Sequence, residues 1–314
     1  PIIFKGIKSV AAVSEWLVPI MTVVYALIAV AILVLHITAI PGALFSIIEG
    51  AFGLNQAFAG TAGGLFAAAL NGVKRGLFSN EAGEGSVPNI AATATVSHPV
   101  QQGFVQSLGV FVDTIVVCTV TALIVLLSGV YTPAGPNVSE EAAKAAEDAA
   151  NTLTSASVTN VLGGWAQYLM VAIVFVFAYS SLLGNYTYAQ INMDFLRGVG
   201  HRHYALRAMI VVATGIGAMA SLTFVWNLSD VAMGLMAIIN IVSIVLLGNW
   251  AFGALADWES QKRRLDAGEI SEIRFVVEDN PHLPGSLPGQ VWSGADAGRI
   301  TPLTDQERDP HRVS

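Results

Sequence analysis

The chain of 314 residues is 54% hydrophobic and only 12% charged, and its mean hydropathy is +0.62. A typical soluble domain is about 25% charged, so these values exclude a water-soluble globule. The formal net charge of -7 and the lack of a basic patch exclude nucleic-acid binding. The single cysteine, Cys118, excludes a disulfide scaffold. The class that remains is a polytopic membrane protein.

Five stretches have the length and composition of membrane-spanning helices, which need about 20 mostly apolar residues. In chain order they cover residues 16–35, 104–127, 165–188, 208–226 and 231–247. The last two are close together, and the polar residues Asn227, Ser229 and Asp230 predict a turn between them. Asp230 is expected to cap the second helix of this pair.

A different kind of segment lies between the first two stretches. Residues 58–96 are apolar but interrupted by Gly, Asn and Pro, which predicts one crossing built from a discontinuous helix. Its centre, SNEAGEGSVPN (residues 79–89), would leave backbone groups unpaired that lipid cannot satisfy. Secondary transporters bind substrate and cations at such unwound backbone. The alternative is an extramembrane loop between two short helices.

Within this centre, Gly83 and Gly85 would let a ligand approach the backbone closely. Pro88 can begin the second half-helix, because a proline in the first turn loses no helical hydrogen bond.

The distribution of charge predicts the topology. With the discontinuous helix counted once, about six crossings place all three basic clusters on one side, which is then cytoplasmic. These clusters are Lys5 with Lys8, the arginines of the loop around residues 197–207, and residues 262–264. The sequence thus predicts a transmembrane domain over residues 1–256. Residues 257–314 are predicted to form a polar, partly disordered cytoplasmic tail.

The motif RGLFSNEAG (residues 75–83), followed by Gly85-Ser86 and Pro88-Asn89, resembles the signature of the alanine or glycine:cation symporter family. The runs GVFVDT (109–114), AYSS (178–181) and GLMA (234–237) with Asn240 also resemble later helices of that family. A departure is Glu84, which stands where the family often has an apolar or small residue and could alter ion preference or face water.

This resemblance implies a leucine-transporter-type fold of two inverted repeats. The chain would be the C-terminal two-thirds of such a protein, with the last helix of the first repeat followed by the second repeat. The helix that opens the first repeat would precede Pro1, so the missing N-terminal part of the same chain is expected to supply further ligands.

The implied function is a secondary symporter in the cell (inner) membrane that couples entry of Na⁺, or of H⁺, to uptake of alanine or glycine. Backbone N–H groups at a half-helix N-terminus would bind the substrate carboxylate. The candidate substrate-binding residues are Ser79, Asn80, Gly83, Gly85, Ser86 and Met236. Ser180 and Ser181 are the candidate cation ligands, although a hydroxyl in a membrane helix often bonds to its own backbone.

Three acids, Glu81, Glu84 and Asp113, are expected to serve structural or coupling roles. No catalytic constellation, metal-ligand spacing or nucleotide-binding loop is present, so neither an enzyme nor a cofactor is expected, and Na⁺ is the expected coupling ion. The alternative function is a membrane channel or a non-transporting membrane subunit. A channel, however, would need polar residues along several spans.

Overall fold

The computed structural model describes residues 7–51, 70, 72–73, 75–131, 149, 152–198, 203–287, 292–294 and 297. Every regular element among these residues is helical. The helices are α1 (Ile7–Leu35), α2 (Ile40–Ala51), α3 (Val87–Ala91), α4 (Pro99–Phe111), α5 (Cys118–Leu127), α6 (Leu153–Leu162), α7 (Trp165–Arg197), α8 (Tyr204–Met219) and α9 (Leu222–Asp266). A 3₁₀ turn (Ile37–Ala39) precedes α2, and a π-helical segment (Val112–Val117) joins α4 to α5. The fold is therefore all-α, as predicted.

Four helical stretches in the described residues are long and apolar enough to cross a membrane. They are Val13–Leu35, Pro99–Leu127, Trp165–Arg197 and Leu222–Asp266, and two shorter apolar helices cover Ile37–Glu49 and Tyr204–Met219. Their large apolar side chains are widely exposed, as for Val245 (73%) and Phe175 (68%). Such exposure is costly in water but not in lipid, and the protein is an integral membrane protein.

The chain divides into two compact units. The first comprises Pro1–Ser79 and Val112–Thr187, and in it α5 packs against α1, α2 and α6. Ile32, Ile124 and Val158 are fully buried at the centre of its core.

The second unit comprises Asn80–Phe111 and Tyr188–Ser314. In this unit α4 packs against α9. A second core forms around Ala254, Phe275 and Val277, so part of the segment that follows α9 is built into this unit.

The predicted turn at residues 227–230 is wrong, because α9 runs without interruption from Leu222 to Asp266. The break lies earlier, where Ala220 and Ser221 are extended. The Ser221 hydroxyl accepts a hydrogen bond from the Phe224 N–H at 3.4 Å, which is the usual N-cap arrangement. Asp230 lies inside the helix and is not its cap. Polar residues without Gly or Pro among them do not stop a helix that is apolar on both sides.

The segment after residue 257, expected to be solvated and partly disordered, also differs from the prediction in its described part. It is helical as far as Asp266. Beyond the helix, Ile273, Phe275 and Val277 are each less than 10% exposed. Lys5 and residues 58–69 lie outside the described residues.

The core of the first unit yields a stability prediction. Ile32 is fully buried and Ile20, on the same helix, is 59% exposed. Ile32→Ala should lower the free energy of unfolding by about 2–5 kcal/mol, because it leaves a cavity among packed side chains. Ile20→Ala should cost much less. Denaturant titration in detergent micelles measures both, and equal losses would contradict the packing described.

Candidate functional site

The motif at residues 75–91 forms a helix, a break and a second helix. Residues 75–80 are helical, residues 81–86 are not, and α3 begins at Val87 with Pro88 in its first turn. Three residues of the break have left-handed backbone angles: φ is 55° at Glu81, 83° at Gly83 and 100° at Gly85. Glycine adopts such angles freely, whereas at Glu81 they cost energy. Pro88 begins the second half-helix, as predicted.

Side chains replace the helical hydrogen bonds that the break lacks. The Asn80 Oδ1 accepts the Ala82 N–H at 2.9 Å. The Asn89 side-chain amide donates to the carbonyls of Gly85 and Ser86 at 3.0 and 3.2 Å. These local bonds satisfy backbone groups that an apolar environment would otherwise penalise.

A more distant asparagine completes this pairing. The Asn240 side-chain amide, from α9, donates to the Gly83 carbonyl at 3.0 Å. A Cβ placed on Gly85 would lie 3.0 Å from the Asn240 Cβ and 3.4 Å from the Met236 Cγ. Gly85 therefore permits the close approach of α9. Among the described residues, a Cβ on Gly83 would meet no atom within 4 Å.

The Glu81 carboxylate links the two sides of the break to α7. One of its oxygens accepts hydrogen bonds from the Ser86 hydroxyl at 2.5 Å and from the Tyr188 hydroxyl at 2.9 Å. Charge-assisted hydrogen bonds of this kind are stronger than neutral ones. Glu81 thus holds the break in shape. Ser86, which the sequence predicts to contact substrate, donates one of these two hydrogen bonds.

The second acid, Glu84, is only 8% exposed. The interpretation in which Glu84 simply faces water therefore does not agree with its position. Its backbone N–H donates to the Glu81 carbonyl at 3.3 Å.

In the first unit, the Ser79 hydroxyl donates to the Asp113 Oδ2 at 2.7 Å. Asp113 lies in the π-helical segment, an element that is frequent at functional sites. Ser79 was predicted to contact substrate and Asp113 to be structural, and the structure joins the two side chains.

The predicted cation ligands also lie in the first unit, on α7. The Ser180 hydroxyl is half-buried and donates to the Phe177 carbonyl at 2.9 Å, which is the usual arrangement for a serine within a helix. Ser181 is exposed. A donating hydroxyl keeps its lone pairs, so this bond leaves the oxygen able to accept a cation.

Sequence reasoning did not identify Tyr188 or Asn240 as site residues. Tyr188 marks the end of a predicted span, and Asn240 belongs to a run that resembles the family. One chemical argument could have found them. A carboxylate and unpaired carbonyls within an apolar stretch require hydrogen-bond donors from other parts of the chain.

Comparison with known families agrees with this geometry. The profile of the sodium:alanine symporter family matches residues 1–272. The chain belongs to the sodium:alanine symporter family. This membership confirms the predicted family. No solved structure matches the chain significantly.

Curated relatives include two from Bacillus subtilis strain 168. The amino-acid carrier protein AlsT is 40% identical over 292 residues, which cover 93% of this chain and 57% of AlsT. The probable sodium/glutamine symporter GlnT is 40% identical over 263 residues, which cover 83% of this chain and 52% of GlnT.

A third relative is the sodium/alanine symporter AgcS of Methanococcus maripaludis, which is 38% identical over 247 residues. The match covers 78% of this chain and 51% of AgcS. The chain thus spans between a half and three fifths of these three relatives, less than the expected two-thirds.

The two glycines of the break should respond differently to substitution. Gly85→Ala forces an unfavourable φ and pushes a Cβ against Asn240, whereas Gly83→Ala carries only the backbone strain. Hydrogen exchange of the peptide that covers residues 79–91 should accelerate at least tenfold in Gly85→Ala and markedly less in Gly83→Ala. Both variants are compared with the native protein in detergent micelles, and equal acceleration would contradict the role given to Gly85.

The hydrogen bond from Tyr188 to Glu81 can be tested separately. Tyr188→Phe removes one donor from the Glu81 carboxylate and should destabilise the break by about 1.5–3 kcal/mol. Tyr168→Phe is the matched control, because Tyr168 lies on the same helix and is 82% exposed. Hydrogen exchange of the peptide that covers residues 79–91 should accelerate only in Tyr188→Phe. Unchanged exchange would show that the bond does not hold the break.

Proposed function

We propose that this chain is the larger part of a secondary symporter that couples Na⁺ entry to uptake of a small neutral amino acid. The observation that carries the proposal is the break at residues 81–86. Its carbonyls are paired by side-chain amides from two elements, and no atom of the described residues fills the space beside Gly83. Unwound backbone arranged in this way is how transporters of inverted-repeat design hold substrate and ions.

The substrate is a zwitterion, and the break offers groups for both of its ends. Backbone groups beside Gly83 and the polar side chain of Asn80 would hold the ammonium and carboxylate. Because α3 has only five residues, its dipole is weak, and individual N–H groups would contribute more than the helix as a whole. Met236 would limit the size of the substrate side chain.

The relatives support an amino-acid substrate but differ in which one they name. AgcS is named for alanine and GlnT for glutamine. Both names include sodium, which supports Na⁺ as the coupling ion, with H⁺ as the alternative. We further propose a leucine-transporter-type repeat arrangement and a cytoplasmic position for the end of the chain, on the charge distribution described above.

The decisive experiment uses the complete gene product that contains this chain, reconstituted in proteoliposomes. Uptake of labelled alanine should require an inward Na⁺ gradient and should not be supported by K⁺. Excess unlabelled glycine should compete, and excess glutamine shows whether the pocket admits a longer side chain. Na⁺ flux that is independent of any amino acid would indicate a channel, and an absence of both fluxes would indicate a non-transporting subunit.

The cation ligands form a separate prediction. Ser180→Ala and Ser181→Ala should each raise the Na⁺ concentration for half-maximal uptake several-fold, because each removes an oxygen that a hard cation prefers. The alanine concentration for half-maximal uptake at saturating Na⁺ should change little. Ser243→Ala is the control, because the Ser243 hydroxyl makes the same kind of bond to its own helix. An unchanged Na⁺ requirement in the Ser180/Ser181 double variant would place the ion elsewhere.

A further inference from the structure

The segment that follows α9 turns back onto that helix. We define the strap as residues 273–283. Residues 272–277 belong to no helix or turn, and every second side chain from Ile273 is buried: Ile273 is 9% exposed, Phe275 3% and Val277 6%. This period of two is that of an extended chain with one face against a core. Val277 and Phe275 pack with Ala254 of α9.

Hydrogen bonds to its backbone groups hold the strap at two points. The Gln261 side chain, on α9, accepts the Arg274 N–H at 2.9 Å and donates to the Arg274 carbonyl at 2.7 Å. The Phe275 N–H donates to the Ser97 carbonyl at 2.9 Å. Because Ser97 lies just before α4, the strap is bonded both to α9 and to the residue that leads into α4.

His98 sits at the centre of this joint and is fully buried. Its Nδ1 accepts the Val100 N–H at 3.2 Å, which caps the start of α4. Its other ring nitrogen, Nε2, lies 3.1 Å from the Asp257 carboxylate. Because Nδ1 accepts a hydrogen bond, it carries no proton, and the network assigns the tautomer in which Nε2–H donates to Asp257.

Two aromatic rings cover the rest of the His98 imidazole. The rings of Trp258 and Phe275 meet it edge-on, with centroids 5.1 and 4.9 Å away. The Asp257 Oδ2 also accepts from Gln261 at 2.9 Å. One carboxylate therefore joins His98 at the start of α4 to the glutamine that holds the strap.

A glycine of α9 fits the far end of the strap. A Cβ on Gly253 would overlap the His282 carbonyl oxygen. Backbone atoms cannot move aside as a flexible side chain can, so only glycine permits this contact. A Cβ on Gly248, on the same helix, would meet no atom of the residues that the structure describes within 4 Å.

We propose that the strap and His98 fasten the start of α4 to α9, so that these two elements move as one body during the transport cycle. His98 and Gly253 are positioning residues in this account. Releasing the strap should slow the conformational change without altering the groups that bind substrate. The kinetic part of this inference rests on the proposed transport function, whereas the docking of the strap does not.

Docking is tested by thiol accessibility. In a Cys118→Ala background, Val277→Cys places a single thiol under the strap. Its modification by a soluble maleimide should be slow in the purified protein and at least tenfold faster when Gly253→Ala is added. Gly248→Ala should leave the rate unchanged. An equal rate with and without Gly253→Ala would overturn the docking.

The kinetic role is tested in proteoliposomes with the complete gene product. Gly253→Ala should lower the maximal uptake rate per protein molecule at least fivefold. The alanine and Na⁺ concentrations for half-maximal uptake should stay within twofold of native values. Phe275→Ala leaves α9 unchanged and should lower the maximal uptake rate in the same way. It is the variant to use if Gly253→Ala does not fold. Unchanged maximal rates despite faster labelling would overturn the kinetic role.

The two proposals fail in distinguishable ways. If the native protein transports no amino acid, the proposed function falls and the kinetic role with it, while the labelling rates still decide whether the strap is docked. If the native protein transports normally and the strap variants transport at the same rate, the kinetic role is wrong and the proposed function stands.

Discussion

A chain that interrupts its own helix among apolar residues must find other partners for the freed backbone groups, and residues 81–86 show how this is achieved. Each buried group left unpaired would cost about 1–3 kcal/mol. Asparagine suits this task because its amide offers both donors and acceptors. Asn80 accepts an N–H within the break, while Asn89 and Asn240 donate to carbonyls. The bond from Asn240 also fixes the position of α9 along the break, and the missing side chain of Gly85 permits that position.

The shape of the break depends on a residue that is poorly suited to its backbone conformation. Glu81 has a φ of 55°, and such strain costs of order 1–3 kcal/mol and persists only when the surroundings enforce it. The enforcement comes from its own carboxylate, which is held by Ser86 across the break and by Tyr188. A glycine at this position would relieve the strain but lose both bonds. The side chain therefore explains why a residue other than glycine occupies this conformation.

Local composition was sufficient to predict some features and not others. Apolar runs predicted the end of α1 at Leu35 and the start of α7 at Trp165, and glycines with a proline predicted the break. Tyr188 and Asn240 lie 107 and 157 residues from their partners in the break, and no local pattern sets the register between separate helices. The alternation of Ile273, Phe275 and Val277 in the sequence does indicate a segment with one buried face. The charge and proline content of the surrounding segment outweighed that indication.

The long helix α9 connects the two features of the second unit. Met236 and Asn240 are one turn apart and both approach Gly85, so one helix face presents an apolar side chain and a backbone donor to the break. Asp257 and Gln261, again one turn apart, hold His98 and the strap. Asn240 and Asp257 are separated by about 25 Å along the helix axis, at 1.5 Å per residue. An uninterrupted helix resists bending over that distance, so a displacement imposed at the strap reaches Asn240 as a movement of the whole helix. The strap can thus influence when the break changes shape while touching none of the atoms that form it.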